Sequence, residues 1–105
     1  GMVPGLLHAG NYCAVNHWMK CVKAAGTTDA EKIIATMKAT PVNDFYNKDV
    51  KIREDGRVMH VMHLWQVKKV SESKGKYDLC KELATIPPSE AWRPLNEGGC
   101  YFIKA

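Results

Sequence analysis

Residues 58–67, VMHVMHLWQV, form the stretch that most constrains the fold of this chain. Side chains alternate across a strand. Met59, Val61, His63, Trp65 and Val67 therefore share one face, and Val58, His60, Met62, Leu64 and Gln66 share the other. Both faces are mainly apolar, the pattern of a strand sandwiched between layers. A chain of 105 residues is one domain at most. It has little to lay over both faces, so the run from Thr36 to Lys69 reads as part of something larger.

Apolar content of 46% and charged content of 25% are those of an ordinary globular protein. They exclude a disordered or collagenous class. The net charge of +4 is spread along the chain, with acids interleaved among the bases. Nucleic-acid binders gather their bases on one face instead. The densest cluster, Lys68, Lys69, Lys74 and Lys76, fits a solvated strand end followed by a polar loop, and no nucleic-acid partner is expected. No stretch approaches the roughly 20 apolar residues of a membrane helix. The N-terminus carries no charged segment followed by an apolar one, so no signal peptide is expected within it, and Gly1 ahead of Met2 reads as a remnant of expression.

Along the chain, a helix is expected from about His8 to Ala25, closed by Gly26 in a left-handed conformation. Tyr12, Val15, Met19 and Val22 make one apolar stripe, and Ala14, Trp18, Cys21 and Ala25 an adjacent one. A second helix begins at Thr27 or Thr28, with Glu31 in capping-box position. It ends near Ala39, because Pro41 disfavours helical geometry at Thr40. Its apolar face is Ala30, Ile33, Ile34 and Met37. Asp55-Gly56 between Val50–Arg53 and Val58–Val67 signals a hairpin with a type I′ turn, Glu54 facing Arg57. Residues 77–84 are a short helix or an extended segment, Pro87-Pro88 stops them, and Ser89–Trp92 makes one further turn. The tail, Cys100 to Ile103, is apolar enough to dock as an extended strand. The expected class is α/β, or α+β in isolation: two helices, a hairpin with a long strand, and an extended tail.

Little here points to catalysis or metal binding. The four cysteines are widely and unevenly spaced, with no C-x-x-C pair. Cys13 and Cys21 fall on one helix, separated along its axis by about 12 Å at the usual helical rise, too far to bridge each other. Both read as buried thiols, whereas Cys80 and Cys100 could approach and form a disulfide. His60 and His63 are three apart on a strand and point to opposite faces, so they cannot share an ion. His8 and His17 are isolated and read as structural. No nucleophile elbow, P-loop or paired-carboxylate signature occurs. The expectation is therefore no enzyme, no cofactor and no metal site.

The blocks KATPVNDF, IREDGR, and QVKK with SESKG, in the order helix, helix, hairpin, resemble the C-terminal end of the type I periplasmic solute-binding proteins. These are the leucine/isoleucine/valine-type receptors of ATP-driven importers, and the likeness runs from about Val3 to Lys104. It implies that residues 1–105 are a single partial domain, a segment of the C-terminal lobe of a protein several times this length. It further implies a periplasmic location, a small polar solute such as a branched-chain amino acid, and importer membrane subunits as partners. Ligand-binding residues cannot be named, because no residue here matches a ligand-contact motif of the family. Cys13, Cys21 and Cys80 depart from the residues more usual there. The bare strand faces also favour a second reading, a stand-alone interaction module that forms a homo-oligomer, a dimer with exchanged elements.

Overall fold

The structure is a computed structural model that describes residues 3–101 and 103. Helix α1 spans Leu6–Ala25 and starts two residues before His8, whose Nδ1 accepts the Gly5 N–H at 3.1 Å. Gly26 closes it at φ 62°, donating its N–H to the Val22 carbonyl, as the sequence predicts. Helix α2 spans Ala30–Ala39 and ends at Thr40, just before Pro41. Its cap differs from the expected threonine. Asp29 is the N-cap and accepts the Lys32 N–H at 3.0 Å, while Thr27 Oγ1 accepts the Asp29 N–H at 3.1 Å. A carboxylate at the positive end of the helix dipole serves better there than a hydroxyl, which moves the start one residue on.

α1 and α2 pack against each other, and the buried stripe of α1 is Cys13, His17 and Cys21, spaced by four. The expected stripes through Tyr12, Val15, Met19 and Trp18 lie instead about half exposed. The apolar arc of α1 is wide, but only one strip of it meets a partner in this chain. The two cysteines of α1 are buried thiols, as the sequence predicts. His17 is held inside by its Nε2, which lies 3.1 Å from the Met37 carbonyl of α2 and 3.7 Å from Cys21 Sγ.

After α2 the chain forms two single β-bridges, Val42 with Val50 and Ile52 with Val58. Between the first pair, Asn43 and Asp49 bond reciprocally, Asn43 Nδ2 to Asp49 Oδ1 at 3.0 Å and Asp49 N–H to Asn43 Oδ1 at 2.9 Å. That pair holds Asp49 at φ 52°. Acidic and amide residues tolerate this left-handed conformation best. The hairpin at Asp55-Gly56 forms, but not as a two-residue type I′ turn. Arg53 N–H donates to the Arg57 carbonyl and Gly56 N–H to the Arg53 carbonyl, both at 2.8 Å, so Glu54, Asp55 and Gly56 make a three-residue loop. Only Gly56 of these takes a positive φ, 85°. Asp55 instead turns its carboxylate onto Arg53, with contacts of 2.9 and 2.6 Å. This bidentate pair favours the longer loop.

The long strand is interrupted. Pairing at Val58 gives way to three residues outside any strand, and β1 is Met62–Val67. Its partner is β2, Cys80–Ile86, so residues 80–84 are extended, while Tyr77 lies in a turn. The two form an antiparallel sheet with a bulge: Leu64 opposes Ala84 while Trp65 opposes Glu82, leaving Leu83 as the extra residue. This bulge puts Glu82 on the same face as Thr85 and His63. Every β1 residue is exposed, Trp65 by 54% and Val67 by 76%, so both faces of this strand are bare.

Helix α3, Pro88–Ala91, is the single further turn expected there, with Pro88 at its first position, where the missing N–H costs nothing. The tail turns rather than extending: Leu95–Glu97 is a 3₁₀ turn, and Ile103 N–H donates to the Cys100 carbonyl at 3.0 Å. Phe102, the centre of the expected tail strand, lies outside the described residues.

Candidate functional site: an open apolar groove

α1, α2 and residues 42–60 wall a groove of about 920 Å³, lined mainly by apolar surface. Its lining comes from Ala9, Gly10 and Ala14 of α1, from Ile34 and Met37 of α2, and from Val42, Ile52 and Val58. Lysines tie the walls together. Lys20 Nζ donates to the Asn43 carbonyl at 2.8 Å and Lys38 Nζ to the Glu54 carbonyl at 2.7 Å.

Cys13 sits at the groove beside the Asp44 turn. Asp44 Oδ1 accepts the backbone N–H groups of Tyr46 and Asn47 at 2.8 and 2.7 Å. Burial pushes the Asp44 carboxyl up, but these bonds and the Asn47 side-chain amide outweigh it and hold the group below its usual range. The Cys13 thiol is pushed up to about 11, first by burial, then by its hydrogen bond to Asp44 and that carboxylate's charge. Only the thiolate is nucleophilic. At pH 8, iodoacetamide is therefore expected to modify exposed Cys80 and spare Cys13 until the chain is denatured, read by peptide mass. Because the folded thiol holds its proton more tightly than the unfolded one, its contribution to stability is complete below about pH 9 and lost as pH rises toward 11. The urea midpoint at pH 8 and at pH 11 checks the sign.

A chain of ring contacts runs from the groove to the C-terminal segment: Tyr12 to Phe45 at 5.1 Å, Phe45 to Tyr46 at 6.3 Å, Tyr46 to His60 at 6.0 Å, and His60 to Trp92 at 5.2 Å. Trp92 Nε1–H donates to the His60 carbonyl at 2.8 Å, and the Arg57 guanidinium lies 4.7 Å from the centre of the indole. Arg53 reaches further and donates Nη1–H to the Arg93 carbonyl at 2.8 Å. Together these contacts pin the chain after β2 onto the hairpin before β1, closing the base of the sheet as an arm. Sequence reading missed this latch, since its partners lie 32 and 40 residues apart.

His60 and His63 do not meet at a common site. His60 belongs to the latch. His63 Nδ1 lies 2.8 Å from Glu82 Oε1, and Thr85 Oγ1 sits 3.4 Å from the same nitrogen. Carboxylate and hydroxyl compete for one ring nitrogen, so the trio lacks the relay of a catalytic triad, which uses both. No group of three or more metal-ligating side chains comes together among the described residues. Cys80 lies exposed at the start of β2 and Cys100 is half-buried, both as free thiols. No helix among the described residues is long and apolar enough to cross a membrane.

Residues 1–76 match the family model of the periplasmic binding proteins. The chain belongs to that family. Among solved structures it is similar to a periplasmic binding protein from Burkholderia mallei, at 41% identity and a TM-score of 0.92 over 98% of this chain. It is also similar to a branched chain amino acid ABC transporter periplasmic ligand-binding protein from Burkholderia xenovorans, at 33% identity and a TM-score of 0.88 over 97% of this chain. In each case it spans 27% of the neighbour's length. No curated protein matches it. The mixed helix and antiparallel-strand fold of this family member thus follows, nearly end to end, about a quarter of each neighbour.

Proposed function

We propose that this chain is a segment of the C-terminal lobe of an extracytoplasmic solute-binding receptor, residues 1–105 forming one partial domain. The receptor would take branched-chain amino acids or a similar small polar solute and deliver it in the periplasm to the membrane subunits of an ATP-driven importer. It acts by binding, not catalysis. The observation that carries this reading is the superposition of almost the whole chain, at a TM-score of 0.92 and 41% identity, on a quarter of a periplasmic binding protein.

Capture of a polar solute needs a concave cleft with convergent polar groups. Among the described residues no second lobe closes over the groove, and its charged groups are largely engaged. Its one lysine among the described residues, Lys38, already donates to the Glu54 carbonyl, and Asp55 is held by Arg53. A free amino acid would lose its hydration there with no uncommitted lysine or arginine for its carboxylate. The isolated chain is therefore expected to give no calorimetric signal with leucine, isoleucine, valine or urea. Micromolar binding of any of them would refute the partial-domain reading.

The bare faces of β1 favour a second reading, a stand-alone dimeric module. Light scattering at tens of micromolar separates the two: a folded monomer removes the dimer.

A further inference from the structure

Asp55 is the one aspartate of the chain followed by glycine, and no asparagine is. That dipeptide is prone to a reaction of its own backbone. The Gly56 nitrogen, with no Cβ beside it to hinder approach, can attack Asp55 Cγ: an N–Cγ bond forms, and the N–H proton leaves with the carboxyl OH as water. The product is a five-membered imide. Water then opens it at Cγ, which restores aspartate, or at the Asp55 main-chain carbonyl, which leaves the chain running through Cγ as isoaspartate. No oxidant or cofactor takes part.

The turn needs its glycine for the backbone, at φ 85°, although a Cβ there would meet nothing, so the reactive dipeptide comes with the hairpin. Both reacting groups are held, and one residue holds them. The Arg53 guanidinium takes both carboxylate oxygens, Nε–H donating to Oδ1 at 2.9 Å and Nη2–H to Oδ2 at 2.6 Å. Its main-chain carbonyl accepts the Gly56 N–H at 2.8 Å. The Arg57 N–H adds a third bond to Oδ1, at 3.1 Å. The imide forms from the neutral carboxyl, whose hydroxyl leaves as water, whereas the hydrogen bonds from Arg53 keep this group ionised, down at about 2.

We propose that Asp55-Gly56 is a latent isoaspartate-forming site and that Arg53 closes it, its side chain pinning the carboxyl that would be attacked and its main chain the nitrogen that would attack. Isoaspartate adds one atom to the backbone of the three-residue loop and withdraws the carboxylate from Arg53, which also donates to the Arg93 carbonyl. The modification therefore loosens the hairpin and the latch together.

The test is incubation of the whole chain at pH 5, with peptide mapping that separates isoaspartate, and the imide lighter by one water, from aspartate. The folded wild type is expected to react more slowly than the same chain in concentrated urea, by roughly tenfold or more. Arg53→Gln, still helical by circular dichroism, should react faster than wild type by roughly tenfold, and by up to roughly 60-fold where the carboxyl returns from about 2 to its ordinary 3.8 and is protonated that much more often. Arg53→Lys, a charge without the fork, falls between. Ile33→Val, which weakens the helical core and leaves the loop intact, should react as the wild type does. A wild type as fast when folded as in urea overturns the proposal. So does Arg53→Gln with no gain, or Ile33→Val with an equal gain, which assigns the reaction to the unfolded chain. Where Arg53→Gln does not fold, Arg53→Lys decides, and no gain there overturns the proposal.

Discussion

Ile33→Asp is expected to abolish the helical fold of α1 and α2, seen as loss of the far-ultraviolet helix signal at room temperature. Ile33 is 3% exposed, and the buried apolar side chains among the described residues are only Cys13, Cys21, Ile33 and Val42. Truncating a buried isoleucine to alanine already costs about 2–5 kcal/mol, and an unpaired carboxylate in its place adds desolvation. So small a core has no reserve to absorb that. Ile33→Val, at about 0.5–1.5 kcal/mol, should keep the helix signal. A chain that retains native helicity with aspartate at this position would show that α2 is not held by its packing on α1.

The second large effect is expected at Trp92. Its ring sits between His60 and Arg57 and its Nε1–H bonds to the His60 carbonyl. Trp92→Ala removes all of these contacts, a loss of about 3 kcal/mol. Trp92→Phe keeps a ring there and forfeits mainly the hydrogen bond, about 1 kcal/mol. The loss should be local. The strands pack on each other and scarcely on the helices, so hydrogen exchange of the β1 and β2 amides should quicken while α1 keeps its protection. Equal loss of protection in α1 would mean that arm and helices unfold as one unit, and the latch would not be what holds the arm.

Where a feature depends on neighbours in sequence, it was legible. Gly26 stops α1 and Pro41 limits α2, because a left-handed glycine and a proline ring act on their own backbone. Asp55-Gly56 announces the hairpin but not its loop length, which the side-chain pair between Arg53 and Asp55 favours. The Cys13–His17–Cys21 stripe could have been found from its spacing of four. It was obscured because Tyr12, Val15, Trp18 and Met19 are as apolar, and hydropathy does not say which strip of a wide arc meets a partner.

The candidate site was less legible than the fold. The resemblance of KATPVNDF, IREDGR and QVKK to the solute-binding proteins places the family, whereas the groove, the Cys13–Asp44 contact and the Trp92 latch join residues distant in sequence. The sequence by itself determined the two helices, their stops, the existence of a turn, and a strand apolar on both faces. Only the tertiary structure decided that a bulge at Leu83 brings Glu82 to His63, that residues 80–86 pair with β1, and that both faces of that strand stay uncovered. Periodicity and turn chemistry are local energies written residue by residue. Pairing, register and burial are set by which distant segments reach one another, and that is a property of the whole chain.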